Sequence, residues 1–192
     1  MDRAEVVDQL KQTWSILNAD LDAAVEYGQL DNTSYAQRAL VRAFFAAVEG
    51  LSYQMRQVTL ASLSGTDFVT PQEAQLLREV RNSIDEKGRP KETSNFLPFP
   101  ESLLFSLSIY AKNHGATFEV DKSNSGWQSL RHAATVRNNV THPKTPQSLN
   151  LTNADLQALM DASRWWQATL LSLFTACHEA DEYWRTKLGE SK

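Results

Sequence analysis

Apolar residues recur at steps of three and four along most of the chain, the spacing that lays one apolar stripe along one face of a helix. Val7, Leu10, Trp14, Leu17, Leu21 and Val25 form the first stripe, and Gly28 supplies its stop. A capping cluster, Asp31-Asn32-Thr33-Ser34, precedes a longer stripe of Leu40, Phe44, Ala47, Val48, Leu51, Met55 and Val58. The connection is short, so the two helices are expected to pair as an antiparallel hairpin. Thr70-Pro71 reads as an N-cap with proline in the first turn and predicts a short helix to about Asn82. ESLLFSLSIYAKNHG, residues 101–115, predicts a fourth helix ending at Gly115, with His114 as a cap or a solvated side chain.

A fifth helix is expected to carry RHAATVRNNVTHPK, residues 131–144, and a sixth to run from about Thr152 to Lys187. The last stripe, Leu156, Leu159, Met160, Ser163, Trp166, Leu170, Phe174 and Cys177, leaves one of the adjacent Trp165 and Trp166 outside it, to pack at the bundle edge or to cover a second packing surface or a partner. Residues 83–100 hold prolines 90, 98 and 100 and a mixed charge run. They read as a surface loop or insertion, with a lid over a site as the alternative. Residues 116–126 offer at most one short strand, and no strand alternation or repeat of roughly 20 to 50 residues recurs. The pattern predicts an all-α, single-domain bundle of about five to six helices over residues 1–192, with a proline-rich loop insertion.

Charge changes this picture locally. With 19 basic and 23 acidic residues the chain carries a formal −4, which argues against an overall coat of phosphate-binding lysines but leaves room for one basic site. Between Asp121 and Asp155 there is no acidic residue, while Lys122, Arg131, Arg137 and Lys144 are basic and His132 and His142 can add to them. The rest of the chain has 15 basic against 23 acidic residues, a net −8. A positive concavity on an acidic protein steers a polyanion to one place, with marked salt dependence.

No apolar run of about 18 residues is present, and the amphipathic N-terminus lacks the apolar core of a signal peptide, so a cytosolic protein without a membrane segment is expected. The single cysteine, Cys177, falls on an apolar stripe and reads as a buried, inert thiol. Four scattered histidines without a His-x-x-x-His or Glu-x-x-His pair give no convincing ligand set, so neither a metal nor a cofactor is called for.

At helical intervals before Arg137 stand Ala134, Leu130 and Trp127, so Arg137 projects from the apolar side of its helix. A guanidinium there needs an anion or a hydrogen-bonding network. Glu49, next to the second stripe, is one internal partner; a phosphate is the functional alternative. His142 precedes Pro143, which disfavours helical backbone before it and stops the helix near Thr141. In a continuous helix, side chains five apart point about 140° from each other. The stop is therefore expected to let His142 turn back toward Arg137. Such a pair suits phosphodiester cleavage without metal: arginine neutralises the phosphate, and histidine moves a proton from the 2′-hydroxyl or to the leaving oxygen. Asn138 is placed to orient a phosphate oxygen or the imidazole.

RNNVTH resembles the Arg-x(4–6)-His motif of the HEPN superfamily (higher eukaryotes and prokaryotes nucleotide-binding domains), in which a polar residue, often Asn, follows the arginine. Its place, late in an all-α bundle with one long helix after it, is similar too, as is the second helix RALVRAFFAAVEGLSYQMRQ with Glu49. The resemblance implies a metal-independent endoribonuclease, commonly a toxin or antiviral effector, whose site forms where two copies meet in a homodimer. It implies Arg137 and His142 as the catalytic pair, Asn138 as the polar residue, Lys144, Arg131 and His132 as RNA or phosphate contacts, and Glu49 in support. RNA is then the substrate, and an antitoxin or regulatory protein a further partner. Lys144 stands where one branch of the superfamily has a nucleotidyl-accepting tyrosine, and residues 83–100 exceed what a minimal bundle needs. Two other functions fit the same residues: a non-catalytic nucleotide- or RNA-binding module, and a helical interaction protein in which Arg137 pairs with Glu49 and His142 is a cap.

Overall fold

The first two stripes become α1, Arg3–Leu30, and α2, Ser34–Ser62, in a computed structural model that describes residues 2–63 and 68–189. Thr33 opens α2 by accepting the Ala36 N–H at 3.3 Å, the cap expected in the Asp31–Ser34 cluster. Next comes α3, Pro71–Leu77, opened by a reciprocal box in which Thr70 Oγ1 accepts the Glu73 N–H and the Glu73 carboxylate accepts the Thr70 N–H at 2.7 Å. Then follow α4, Phe99–Asn113, α5, Ser125–Thr141, a 3₁₀ turn, Pro146–Leu149, and α6, Asn153–Gly189. The fold is an all-α bundle of six helices with one small two-stranded sheet among the described residues. None of the described helices is long and apolar enough to cross a membrane.

The sheet is a departure from the expected loop. Residues 83–100 do not form a structureless insertion: β1, Val80–Ile84, and β2, Pro90–Ser94, pair antiparallel with Val80 opposite Ser94 and Ile84 opposite Pro90. The predicted third helix correspondingly stops at Leu77 instead of Asn82. Glu79 ends it, with a left-handed φ of 53° that no helical residue adopts. The turn is organised by Asp85, whose Oδ1 accepts the Lys87 and Arg89 N–H groups at 2.8 Å, and by Gly88 at φ 72°. Nearly all of both strands is exposed, so the apolar alternation that betrays a strand is missing from this one.

The core is centred on α2, which buries Val41, Phe44, Phe45, Val48, Leu51, Met55 and Val58 against the other helices. In α1, Val6 is buried while Leu10, Trp14 and Leu21 are half-buried, so that helix covers one flank. Trp165 and Trp166 are both buried. Trp166 follows the main stripe, and Trp165 takes the second packing surface, its ring centre 5.5 Å from that of Trp127 of α5 at a 51° tilt and its indole N–H donated to the Asp121 carbonyl at 3.3 Å.

A side chain at Gly126 would put its Cβ 2.5 Å from the Trp165 Cβ and 2.7 Å from two ring atoms, near the start of that side chain where it cannot swing away. Gly126→Val is therefore expected to lower stability by about 2 kcal/mol through overpacking, a loss that urea unfolding followed by tryptophan fluorescence would measure.

His114 is the C-cap of α4, as one of its two readings had it, and its side chain is not solvated. Its Nδ1 lies 3.0 Å from both oxygens of Asp181, which ties the end of α4 to the last turns of α6, and its ring centre is 4.8 Å from that of Tyr110, tilted at 49°. Cys177 is buried as expected, and burial, with the Asp181 charge adding, pushes its thiol up to about 12.

Candidate functional site

Three elements enclose a groove of about 910 Å³. From α5 come Gln128, Arg131, His132, Thr135, Arg137 and Asn138, a stripe at helical spacing. From α2 come Glu49, Ser52 and Arg56, again three and four apart. The third side is the turn into α4, Leu97-Pro98-Phe99-Pro100, followed by Ser102 and Leu103. The end of the expected loop thus forms a wall of the groove.

Arg137 sits where the apolar spacing of α5 requires, one-fifth exposed, with its guanidinium paired to the Glu49 carboxylate. The same guanidinium lies 5.3 Å from the Phe45 ring centre and 5.6 Å from that of Phe99. Its Nε is buried without a hydrogen-bond partner among the described residues. Burial pushes the Glu49 carboxyl above its usual range, and the charge and hydrogen bond of Arg137 offset only part of that. An arriving anion competes with this carboxylate for Arg137.

Asn138 lines the groove beside it, and its carbonyl accepts the His142 N–H at 2.9 Å, the last bond of the helix. α5 ends at Thr141, where Pro143 requires, and His142 leaves helical backbone at φ −127° and ψ 64°. The turn toward Arg137 is a different matter. His142 is exposed, makes no side-chain hydrogen bond among the described residues and does not line the groove. Lys144 is exposed on the following turn and also lies off it.

Arg131 lines the groove with a guanidinium that has no partner among the described residues. His132 lines it too, but its Nε2 is 2.7 Å from Asp155 Oδ1, so the carboxylate that bounds the acid-free window in sequence returns to it in space. Burial alone would raise the Asp155 carboxyl. Hydrogen bonds from the Thr152 N–H and hydroxyl, both 2.8 Å, and from His132 outweigh that and hold it below the usual range.

Sequence reasoning missed three arginines of α2. Arg56, buried on the groove floor, donates from Nη1 to Ser102 Oγ at 2.5 Å and Ser106 Oγ at 3.3 Å, and from Nη2 to Glu79 Oε1 at 2.8 Å. Its Nε has no partner among the described residues. The available signal was its position, seven residues after Glu49 on one helix face. Arg42 donates to the Val140 carbonyl at 3.4 Å, at the end of α5, and Arg38 to that of Leu149 at 3.2 Å, in the 3₁₀ turn that follows.

Among the described residues no group of three or more His, Cys, Asp or Glu side chains is placed to hold a metal ion. Fold and site together define a helical bundle with an arginine-lined groove along one face. Comparison of the chain with protein-family models, with curated proteins and with solved structures returns no match.

Proposed function

We propose that this chain is a metal-independent endoribonuclease of HEPN type, acting as a homodimer with a composite site. In this reading it serves as a toxin or antiviral defence effector restrained by an antitoxin or other regulatory protein. The observation that carries the reading is the division of labour at the end of α5. Arg137 is fixed in the groove by Glu49 and two aromatic rings, and His142, five residues on, is released from the helix into solvent. Because His142 does not line the groove of its own chain, a second copy supplies the imidazole that faces Arg137.

In the mechanism the substrate 2′-oxygen attacks the adjacent phosphorus while the bond to the 5′-oxygen breaks, giving a 2′,3′-cyclic phosphate and a 5′-hydroxyl. Arg137 neutralises the charge that develops on the phosphate oxygens. His142 takes the 2′-proton or delivers one to the leaving oxygen. Asn138 orients a phosphate oxygen, and Arg131, His132 and Lys144 hold flanking phosphates. A composite site requires two chains. Sedimentation of the purified protein at micromolar concentration is expected to give a dimer, and a strict monomer contradicts the proposal.

The Arg137–Glu49 pair also favours a second reading, a helical interaction module in which the pair is structural and His142 only closes α5. There Arg137→Ala lowers thermal stability and RNA is untouched by any variant.

A further inference from the structure

The hairpin β1–β2 is tied to the bundle at its base by the Glu79–Arg56 pair, and nearly all the rest of it stands in solvent. The Asn95 N–H donates to the Glu79 carbonyl at 2.8 Å and the Asp85 N–H to that of Arg89 at 2.9 Å. In the register that sets Arg81 opposite Thr93 and Ser83 opposite Lys91, both bonds belong to odd-numbered pairs. Antiparallel pairs alternate between bonded and non-bonded, so the odd residues use their main-chain groups inside the hairpin. Val80, Asn82 and Ile84 therefore direct N–H and C=O outward from β1, and among the described residues no bond from outside the hairpin reaches them. Such an edge is a template for a further strand unless proline, a bulge or charge guards it. The β2 edge has a guard, since Pro90 heads its outward positions and has no N–H. The register of β1 is unbroken from Val80 to Ile84, without proline or bulge.

The two faces of the hairpin define the strand that fits. Odd-numbered side chains share one face, where Arg81, Arg89 and Lys91 are exposed and have no ion pair among the described residues. The acid at that end, Asp85, has its Oδ1 engaged by the Lys87 and Arg89 N–H groups. Even-numbered side chains share the other face, where Ile84 is 76% exposed and, with Asn82, Pro90 and Glu92, lines an open hollow of about 620 Å³. A strand added to β1 sets one alternate set of side chains against Arg81, with Lys91 one strand further at about 10 Å, and the other set beside Val80 and Ile84. Acidic residues complement the first position and apolar residues the second. The same edge of a second copy does not, because its own Arg81 would arrive on the cationic face.

We propose that the outer edge of β1 is a docking site, by strand addition, for an extended segment of another protein whose residues alternate between acidic and apolar. The main-chain groups of Val80, Asn82 and Ile84 make the bonds, and the charges of Arg81 and Lys91 select the sequence. This site uses none of the residues assigned to RNA cleavage and stands apart from that reading.

The test is fluorescence anisotropy of a labelled, capped peptide of about eight residues that alternates glutamate and valine, titrated with the full-length protein. It is expected to bind about tenfold or more tighter than the same peptide with glutamine in place of glutamate, and to weaken as salt is raised. Arg81→Glu combined with Lys91→Glu, at exposed positions without ion pairs, is expected to weaken the glutamate peptide about tenfold or more and to favour a lysine–valine peptide, with unchanged melting temperature. Strand addition is separated from charge attraction by peptides N-methylated at every valine or at every glutamate, since only one alternate set of N–H groups faces β1. One of the two is expected to bind and the other to fail. Asn82→Pro removes the central outward N–H, leaves the inward pairs intact and is expected to abolish binding. A glutamate peptide that binds no better than its glutamine counterpart, methylated peptides that behave alike, or a charge-reversed variant that binds as wild type does each overturn the proposal. So does a uridine oligonucleotide held by this face when no peptide is, which assigns it to nucleic acid. Loss of a dimer in sedimentation on Asn82→Pro assigns the edge to a second copy and overturns it likewise.

Discussion

His142→Ala is expected to reduce RNA cleavage in EDTA by about 100-fold or more and to leave the melting temperature unchanged. The loss follows from its proposed role as the group that takes or delivers the proton, which an arginine or lysine side chain nearby does not replace. The unchanged stability follows from its surroundings: His142 is exposed and its side chain makes no hydrogen bond among the described residues. Arg137→Ala is expected to abolish cleavage to a similar extent but also to cost about 1–2 kcal/mol of stability. It removes the Glu49 pair and two ring contacts and leaves a carboxylate whose ionised form its burial disfavours. The contrast between the two variants matters more than either alone. Loss of activity in His142→Ala with wild-type unfolding is a chemical effect, whereas Arg137→Ala mixes chemistry with structure. Cleavage that persists in both folded variants contradicts the assignment.

The second large effect is structural. Glu79→Ala is expected to destabilise the protein by about 3 kcal/mol, because it strands the guanidinium of Arg56 without its counter-ion. The Arg56 side chain is 9% exposed, Glu79 Oε1 is its only carboxylate partner among the described residues, and the hydroxyls of Ser102 and Ser106 do not compensate a charge. The backbone of Glu79 provides an internal control. Its φ of 53° is strained for any side chain, so Glu79→Gly loses the same ion pair but gains backbone relief and is expected to be about 1 kcal/mol less damaging than Glu79→Ala. Glu79 also accepts the Asn95 N–H through its carbonyl at 2.8 Å, which closes the base of the hairpin in both variants. Urea unfolding, with the slope compared across the three proteins, measures the series. Equal stability of Glu79→Ala and wild type would show that the buried pair contributes nothing net.

Much of this architecture is legible in the chain because long helices repeat their apolar residues. The stripes of α1, α2 and α6 each rest on several residues that agree, and most of those residues are buried or half-buried; Val25 and Met160 are exposed, and α1 runs past the expected stop at Gly28 to Leu30. What the chain hides are pairings between residues far apart. Arg56 reads as a charge interrupting an apolar helix until Glu79 and Ser102 are brought to it. His132 reads as able to add to the charge of an acid-free window until α6 returns Asp155 to it. The hairpin β1–β2 was invisible for a different reason: with nearly all of both strands in solvent, no burial pattern selects strand over loop, and only the Asp85 and Gly88 turn chemistry signals it. Within the candidate site, the place of Arg137 on the apolar side of α5 and its pairing with Glu49 could be read ahead. The direction His142 takes beyond Thr141 could not, since Pro143 dictates where the helix ends but not where the chain goes next.

That direction is the centre of the proposal, in which the site depends on two chains. Mixing inactive Arg137→Ala protein with inactive His142→Ala protein, and allowing the subunits to exchange, tests it most directly. Random exchange makes half of the dimers mixed, and each mixed dimer joins the intact Arg137 of one chain to the intact His142 of the other at one of its two sites. Cleavage of a labelled RNA in EDTA is expected to return to about one quarter of the wild-type rate. A mixture that stays as inactive as its components, while wild-type protein cleaves, would place Arg137 and His142 of the same chain in one site and contradict the composite arrangement.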